Sequence, residues 1–474
     1  MITVVTAGTI NENFVIGSGF GDFVYTLVTQ PDGKILAGGN FTSYSGTDAY
    51  YVTRLNEDGS LDETFDNGSY LNDIVRAIAV ESNGNILVGG SFNSYNGFGT
   101  YGLVRLNPDG TLNQLFLNGF GCDGCNYSSQ LVYVRAITIQ DDGKILIGGN
   151  FNIYNNLNYN YIVRLNVDGT IDNTFSYVGG GFNNGVFSIV VESDGNILVG
   201  GDFDQYNGLY CSKIARLDKN GTLLNAFGSG ANNRVQKIVL QSDGKILLGG
   251  HFDNFNGTST GNMVRLNQNG SIDTTFSFDS WVIDMYVQSD NKIVVGGQFG
   301  DYDGDTVNYI ARLNPSGSLD TSFYLGDGAS DYVNAVTELS NGDLIVGGRF
   351  SQYDNQNYNY IVSLNNDVNT EQYPFIYEAT GCPTDLITTF YYTETFYVGS
   401  NVELSQNQIV SVSNITASTQ VQCVQITSSN IAYAANYEYI ASYADCESCL
   451  SDNSNVAYVK YCSDPEQTLY LCVN

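Results

Sequence analysis

The chain has 474 residues, enough for two to four domains, and a hydrophobic content of 42% supports packed cores. Eighteen basic against forty-nine acidic residues give a formal net charge of −31, which repels phosphate backbones and anionic lipid and so excludes nucleic acid and membrane surfaces as expected partners. Glycine (53), tyrosine (35) and phenylalanine (25) are abundant and proline (6) is scarce. No stretch keeps apolar residues at the helical period, so the chain reads as nearly all β.

The start, Met1-Ile2-Thr3-Val4-Val5-Thr6, lacks the basic stretch and apolar core of a signal peptide. No apolar run approaches bilayer length. This reading expects synthesis and folding in a cytoplasm. The Tyr/Asn/Ser-rich surface nevertheless suits an extracellular setting, and a virion component released by lysis satisfies both.

A Gly-Gly pair closes an apolar run at Gly38, Gly89, Gly148, Gly200, Gly249, Gly296 and Gly347, at intervals of 47 to 59 residues. Such a period indicates a propeller or a solenoid. In each unit an alternating strand such as Val75–Val80 meets a tight polar turn such as Ser82-Asn83-Gly84. A nearly all-apolar second strand, as in Lys34-Ile35-Leu36-Ala37, runs into Gly-Gly-x-Phe, where glycine lets neighbouring backbone approach. An aromatic residue follows three positions on: Tyr44, Tyr95, Tyr154, Tyr206, Phe255, Tyr302 and Tyr353. The third strand ends in Arg-Leu-Asn in most copies, with Ser363 in place of arginine in the seventh. A second turn, Asp58-Gly59 in the first copy, leads to a short fourth strand ending at Phe65.

The seventh copy lacks that Gly-Ser-Leu-Asp-x-x-Phe ending. It stands instead before the first copy, as Gly8-Thr9-Ile10-Asn11-Glu12-Asn13-Phe14, close to Gly169-Thr170-Ile171-Asp172-Asn173-Thr174-Phe175. Displacement of one strand from the last repeat to the N-terminus is what closing a ring requires, whereas an open solenoid needs caps at both ends. The expected architecture is an all-β, seven-bladed β-propeller over residues 1–375, closed by an N-terminal strand, with a small β-rich domain over residues 376–474.

The Asp/Asn-Gly-Lys-Ile-Leu-x-Gly-Gly-x-Phe run, the Arg-Leu-Asn stretch and the Asp-Gly-Ser-Leu-Asp-x-x-Phe ending resemble the delta-60 repeat family of β-propellers over about three quarters of the chain. The resemblance implies a propeller of the kind found in bacterial surface and phage structural proteins. It implies no catalytic residues.

Turns joining strands one to two and three to four fall on one face of such a disc. Variable loops and inter-blade links, for example residues 152–159 and 118–130, fall on the other. Loops on a rigid frame carry function, and tyrosine and asparagine suit glycan or protein contact. The repeated aromatics are expected to pack the blade edges, so Tyr159 and Tyr210 are the binding candidates. Residues 377–474 hold six of the nine cysteines and strand-like runs such as Gln408–Val412. The run Tyr443–Leu450 resembles endings of small modules in phage structural proteins.

Four thiolates, Cys446, Cys449, Cys462 and Cys472, suit tetrahedral zinc, although disulfides or free thiols fit equally. Cys122 and Cys125, in a glycine-rich link, fit a loop-stapling disulfide or half a metal site. Asp301, Asp303 and Asp305 cluster beside Gly304 as calcium ligands do, but other copies place a plain turn there. The only histidine, His251, occupies a position filled elsewhere by Asn40, Ser91, Asn150, Asp202, Gln298 and Arg349, which argues against a catalytic base. No phosphate-cradling loop is present. The reading is therefore non-enzymatic: a bacteriophage virion structural or adhesion protein, an appendage of tail or capsid, needing no cofactor. Its partners would be other virion proteins and a host-surface glycan or protein. The alternatives are a secreted bacterial surface adhesin and a polysaccharide-degrading propeller.

Overall fold

The computed structural model describes residues 7–66, 71–100, 102–114, 116, 133–154, 157–175, 180–224, 227–278, 281–302 and 305–366, together with short strands between residues 396 and 473. The described residues contain no helix. The chain divides into two compact units, one of Thr6–Asp367 and one that includes Val368–Asn474.

The first unit is the expected propeller. Each blade is an antiparallel sheet whose first strand pairs with the second and whose second pairs with the third. In the first blade these are Val24–Thr29, Ile35–Gly39 and Val52–Leu55, and in the seventh Val333–Glu338, Leu344–Gly348 and Ile361–Leu364. The fourth strand is short, most often a single bridge such as Leu55 to Leu61 or Leu165 to Ile171. Each first strand carries a bulge after its first valine, for example between Val24 and Thr26 or between Val134 and Ala136.

The Gly-Gly pairs fit two different neighbours. The second glycine lies under backbone: a Cβ on Gly39 would stand 2.1 Å from the Phe23 carbonyl oxygen. The first lies under a side chain of the next blade: a Cβ on Gly38 would stand 2.4 Å from Val75 Cγ1, and one on Gly249 2.5 Å from Val282 Cγ1. A methyl at the first position would force adjacent blades apart. The same contact runs from Gly347 back to Val24, at 2.7 Å, so the seventh blade sits on the first.

The N-terminal strand closes the circle. Ile10 bridges Leu364. The Gly8 amide donates to the Asn365 carbonyl at 2.6 Å, Asn365 N to Thr9 O at 2.9 Å, and Asn11 N to Ser363 O at 2.8 Å. The variable loop of every blade forms a small hairpin that the sequence reading had not assigned, as in Ser43–Tyr44 with Thr47–Asp48. Its turn residues, Ser45 and Gly46, have φ of 47° and 80°, the left-handed pair a two-residue hairpin needs.

Each of the first six blades holds a buried ion pair. In four of them an aspartate (Asp62, Asp172, Asp273 or Asp320) takes the motif arginine at 2.6–2.8 Å and a lysine at 2.7–3.3 Å. The second and fourth blades relocate the acid: Asn85 and Asn196 replace the lysine, Asn113 and Leu224 replace the aspartate, and Glu81 and Glu192 meet Arg105 and Arg216 at 2.5 and 2.8 Å. Each arginine also donates to a turn carbonyl of the next blade, as Arg164 does to Lys219 O at 2.5 Å and Arg216 to Gln268 O at 2.8 Å. At the closing seam Ser363 replaces the arginine and Asn11 the acid, and Asn11 Nδ2 donates to Asp343 Oδ2 at 3.0 Å. The arginine and its acid are thus both replaced at the seam, while the backbone bond from the fourth strand, Asn11 N to Ser363 O, matches Asp62 N to Arg54 O in the first blade.

The second unit is β-rich. Phe396–Val398 pairs with Val402–Leu404, and Gln422–Thr427, Thr468–Val473, Tyr458–Cys462 and Ser442–Tyr443 form a four-stranded sheet in that order. The run Gln408–Val412 lies outside the described residues.

Candidate functional site

The innermost ring of a propeller is made of first strands, and here they touch one another around the whole disc. Asn334 Nδ2 donates to Val24 O at 2.9 Å, Thr138 Oγ1 to Ile189 O at 2.7 Å, and Ile238 N to Ser188 Oγ at 3.0 Å. Side chains flanking the first valine of each first strand therefore gather around the axis, on the face of the hairpins and links.

They form a belt of cations and aromatic rings. Arg349 lies 5.4 Å from the Tyr332 ring and 5.3 Å from Phe23, and Phe23 stands 6.4 Å from Tyr25. Arg76 lies 5.4 Å from Tyr25 and 5.2 Å from Tyr133. Arg135 and Arg234 each stand 4.6 Å from the Phe187 ring. His251, in the same blade as Arg234, stacks on Trp281 at 4.6 Å and 12°. Tyr309 meets Tyr332 at 5.8 Å, so the belt leaves the sixth blade at Trp281 and returns to it at Tyr309.

The electrostatics are unusual for so acidic a chain. Burial, and then the neighbouring charges of Arg76 and Arg234, push the Arg135 guanidinium down to about 10, with Tyr133 opposing. Burial and the Arg234 charge likewise push the His251 imidazole below its ordinary value, while Asp202 pulls the other way. Carboxylates border the belt too: Asp202, which Arg234 holds at 2.5 Å, and Asp22, which accepts from Asn40 Nδ2 at 2.7 Å. Arg349 Nε is buried with no hydrogen-bond partner among the described residues. Arginines can hold planar anions through paired N–H donors, and exposed rings can stack on an apolar ligand face.

Of the ten arginines, six belong to the Arg-Leu motif; the other four are Arg76, Arg135, Arg234 and Arg349. Subtracting the motif would have found the belt. Reading each position as tolerant across repeats concealed it, because a ring assembles its site from residues that differ between blades.

The candidates named from sequence lie elsewhere. Tyr159 is a correction: it is 2% exposed, packed with Tyr154 and Phe151 in the third blade's core, so it offers no contact surface. Its hairpin turns the ring inward, and burial raises its hydroxyl pKa. Tyr210 is 62% exposed on the strand Leu209–Tyr210. The repeated aromatics pack the blades, and the Tyr206 hydroxyl donates to Gly221 O at 2.9 Å. Asp301 pairs opposite Thr306 and Asp305 opposite Tyr302 in a hairpin, while Asp303 lies outside the described residues. So do Cys122, Cys125, Cys446 and Cys449. Register sets Cys472 opposite Cys423, and Cys462 opposite Tyr443. Cys211 is a buried free thiol pushed up to about 12 by burial and by Asp204. Among the described residues no group of three or more His, Cys, Asp or Glu is placed to hold a metal.

Three solved structures illustrate the likeness in fold. The WD40 β-propeller domain of Doa1 is 16% identical, with a TM-score of 0.44 over 77% of this chain and 97% of that one. Streptogramin B lyase is 15% identical, with a TM-score of 0.41 over 77% and 97%. The extracellular domain of a one-component system protein from B. thetaiotaomicron is 12% identical, with a TM-score of 0.45 over 82% of this chain and 43% of that one. No curated protein matches the chain in sequence. A family model matches seven times, at residues 30–65, 81–116, 140–175, 192–223, 241–276, 288–323 and 339–367, together just over half of the chain. With one match on every blade, the chain belongs to the family described as a domain of unknown function (DUF5122) beta-propeller.

Proposed function

We propose that the chain is a non-enzymatic recognition protein built from repeats of the delta-60 type and carried on a bacteriophage particle as an appendage of tail or capsid. The observation that carries the recognition reading is the belt around the axis: arginines and rings on a rigid frame, with Asp202 already tied to Arg234 and Asp22 to Asn40. Glycosidase chemistry asks for two carboxylates about 5–10 Å apart with separate tasks. A belt of guanidiniums and aromatics serves binding instead. The polar, acidic composition supports a place on a particle exposed to solvent, with other virion proteins on one side and a host-surface glycan or protein on the other.

Two measurements test this. Mass spectrometry of purified particles should find the chain at stoichiometric level; its absence there, with the protein found in the bacterial envelope, would replace the virion placement by a surface adhesin. Incubation with host capsule or cell-wall glycan should release no new reducing ends, and release would make it an enzyme.

A further inference from the structure

Arg135 and Arg234 share the Phe187 ring at 4.6 Å each, Arg76 stands 5.2 Å from the Tyr133 ring beside them, and Asp202 is held by Arg234. A folded chain does not gather like charges around partly buried rings without cost. Composition does not force the cluster, since the chain is overwhelmingly acidic and has few cations to place. Arg349 adds a buried donor with no partner among the described residues. The Arg349 Nε is an unspent donor for an anion.

Two more observations narrow the anion. Trp281 is 43% exposed with its indole stacked on His251, which leaves an open ring face beside the cations. A flat aromatic face next to a guanidinium suits a ligand with an apolar ring surface and a charged edge, as a sugar carboxylate has. The net charge of −31 repels dense polyanions, so the ligand's charge must be local. We propose that the belt binds a carboxylate-bearing sugar unit of the uronic acid class, with its carboxylate on Arg135, Arg234 and Arg76 and its ring face on Trp281. This rests on the recognition reading, but not on the particle placement, because it is tested on the isolated protein.

Trp281 is the only tryptophan, so its fluorescence reports the site directly. The full chain is titrated at pH 7.5 with D-galacturonate and D-glucuronate, and in parallel with D-galactose and inorganic phosphate. The expected result is a saturable change with a uronate, weakening as sodium chloride rises, and at least about tenfold weaker binding of galactose. Arg135→Gln should weaken uronate binding by about tenfold or more without lowering the unfolding midpoint, because it relieves repulsion. Arg76→Gln serves as the second variant, and Tyr210→Ala on the exposed hairpin should change nothing. No saturable change with either uronate overturns the proposal, as does equal binding of galactose. Phosphate binding as tightly as both uronates would make the belt a simple anion trap and overturn the sugar assignment. Full binding by both arginine variants would reduce the arginines to packing staples. Absence of the chain from particles would touch none of these outcomes.

Discussion

The relocation of the acid between blades makes a quantitative prediction about which arginine matters most. Arg164→Met leaves Asp172 with Lys144 Nζ at 3.0 Å, the Thr174 hydroxyl at 2.6 Å and the Thr174 amide at 2.9 Å. Burial alone would raise Asp172, but these donors hold it well below the usual carboxylate range. Arg216→Met leaves Glu192 without its cation, and burial already raises Glu192 while Arg216 opposes. Both variants lose a bond to the next blade's turn and a cation–ring contact, at 4.5 Å for Arg164 and 5.1 Å for Arg216, so those losses nearly cancel in the comparison. Stranding one partner of a buried pair costs about 3–5 kcal/mol, whereas losing one of several charged hydrogen bonds costs about 1.5–3 kcal/mol. Arg216→Met should therefore be less stable than Arg164→Met by about 2 kcal/mol in urea titrations at pH 7.5. Adding Glu192→Gln should recover most of that difference. The sign with pH follows from a raised folded pKa: the native state holds the proton more tightly, so the penalty shrinks as pH falls toward the ordinary carboxyl range. Equal losses for the two arginines, or no recovery with Glu192→Gln, would refute this account of the ion pairs.

Other outcomes are equally specific. Asn11→Asp alone should lower the unfolding midpoint, since it faces Asp343 without a cation, and adding Ser363→Arg should recover it by recreating the pair found in other blades; additive losses would argue against that geometry. Gly249→Ala should destabilise by about 1–3 kcal/mol, because the new methyl meets Val282 at 2.5 Å and the blades cannot part cheaply; an unchanged urea midpoint would contradict the blade contact. His251 should protonate below the ordinary histidine value of about 6.5, read as a pH-dependent change in Trp281 emission that His251→Gln abolishes. Because the native state resists that proton, stability should fall as pH drops through this window, and a midpoint at or above the ordinary value would count against burial beside Arg234.

The frame was legible because every repeat must solve the same packing problem. Gly38 and its six counterparts meet the next blade's valine, and the displaced Gly8–Phe14 segment has a single place to go. The hairpins after Gly-Gly-x-Phe were missed because two-residue strands carry too little pattern, and one of them turned Tyr159 inward. The belt was hidden for the opposite reason. Arg76 and Arg135 occupy the position held by Tyr25, Phe187 and Gln236 in other blades, so the repeat averages away what the circle assembles. The shift of the acid from Asp62 and Asp172 to Glu81 and Glu192 was likewise invisible until the strands were laid side by side, when each substitution proved to compensate another.

The belt exists because the seventh blade, with Arg349 and Tyr332, stands beside the first, with Phe23 and Tyr25. Hydrogen exchange of the Gly8, Asn11 and Asn365 amides measures that junction. A closed ring predicts slow exchange, matched to Asn113, whose amide donates to Arg105 O in an interior blade. Exchange at the rate of a free chain, with the rest of the disc still protected, would mean that the ends are not joined and that the axis has no continuous belt.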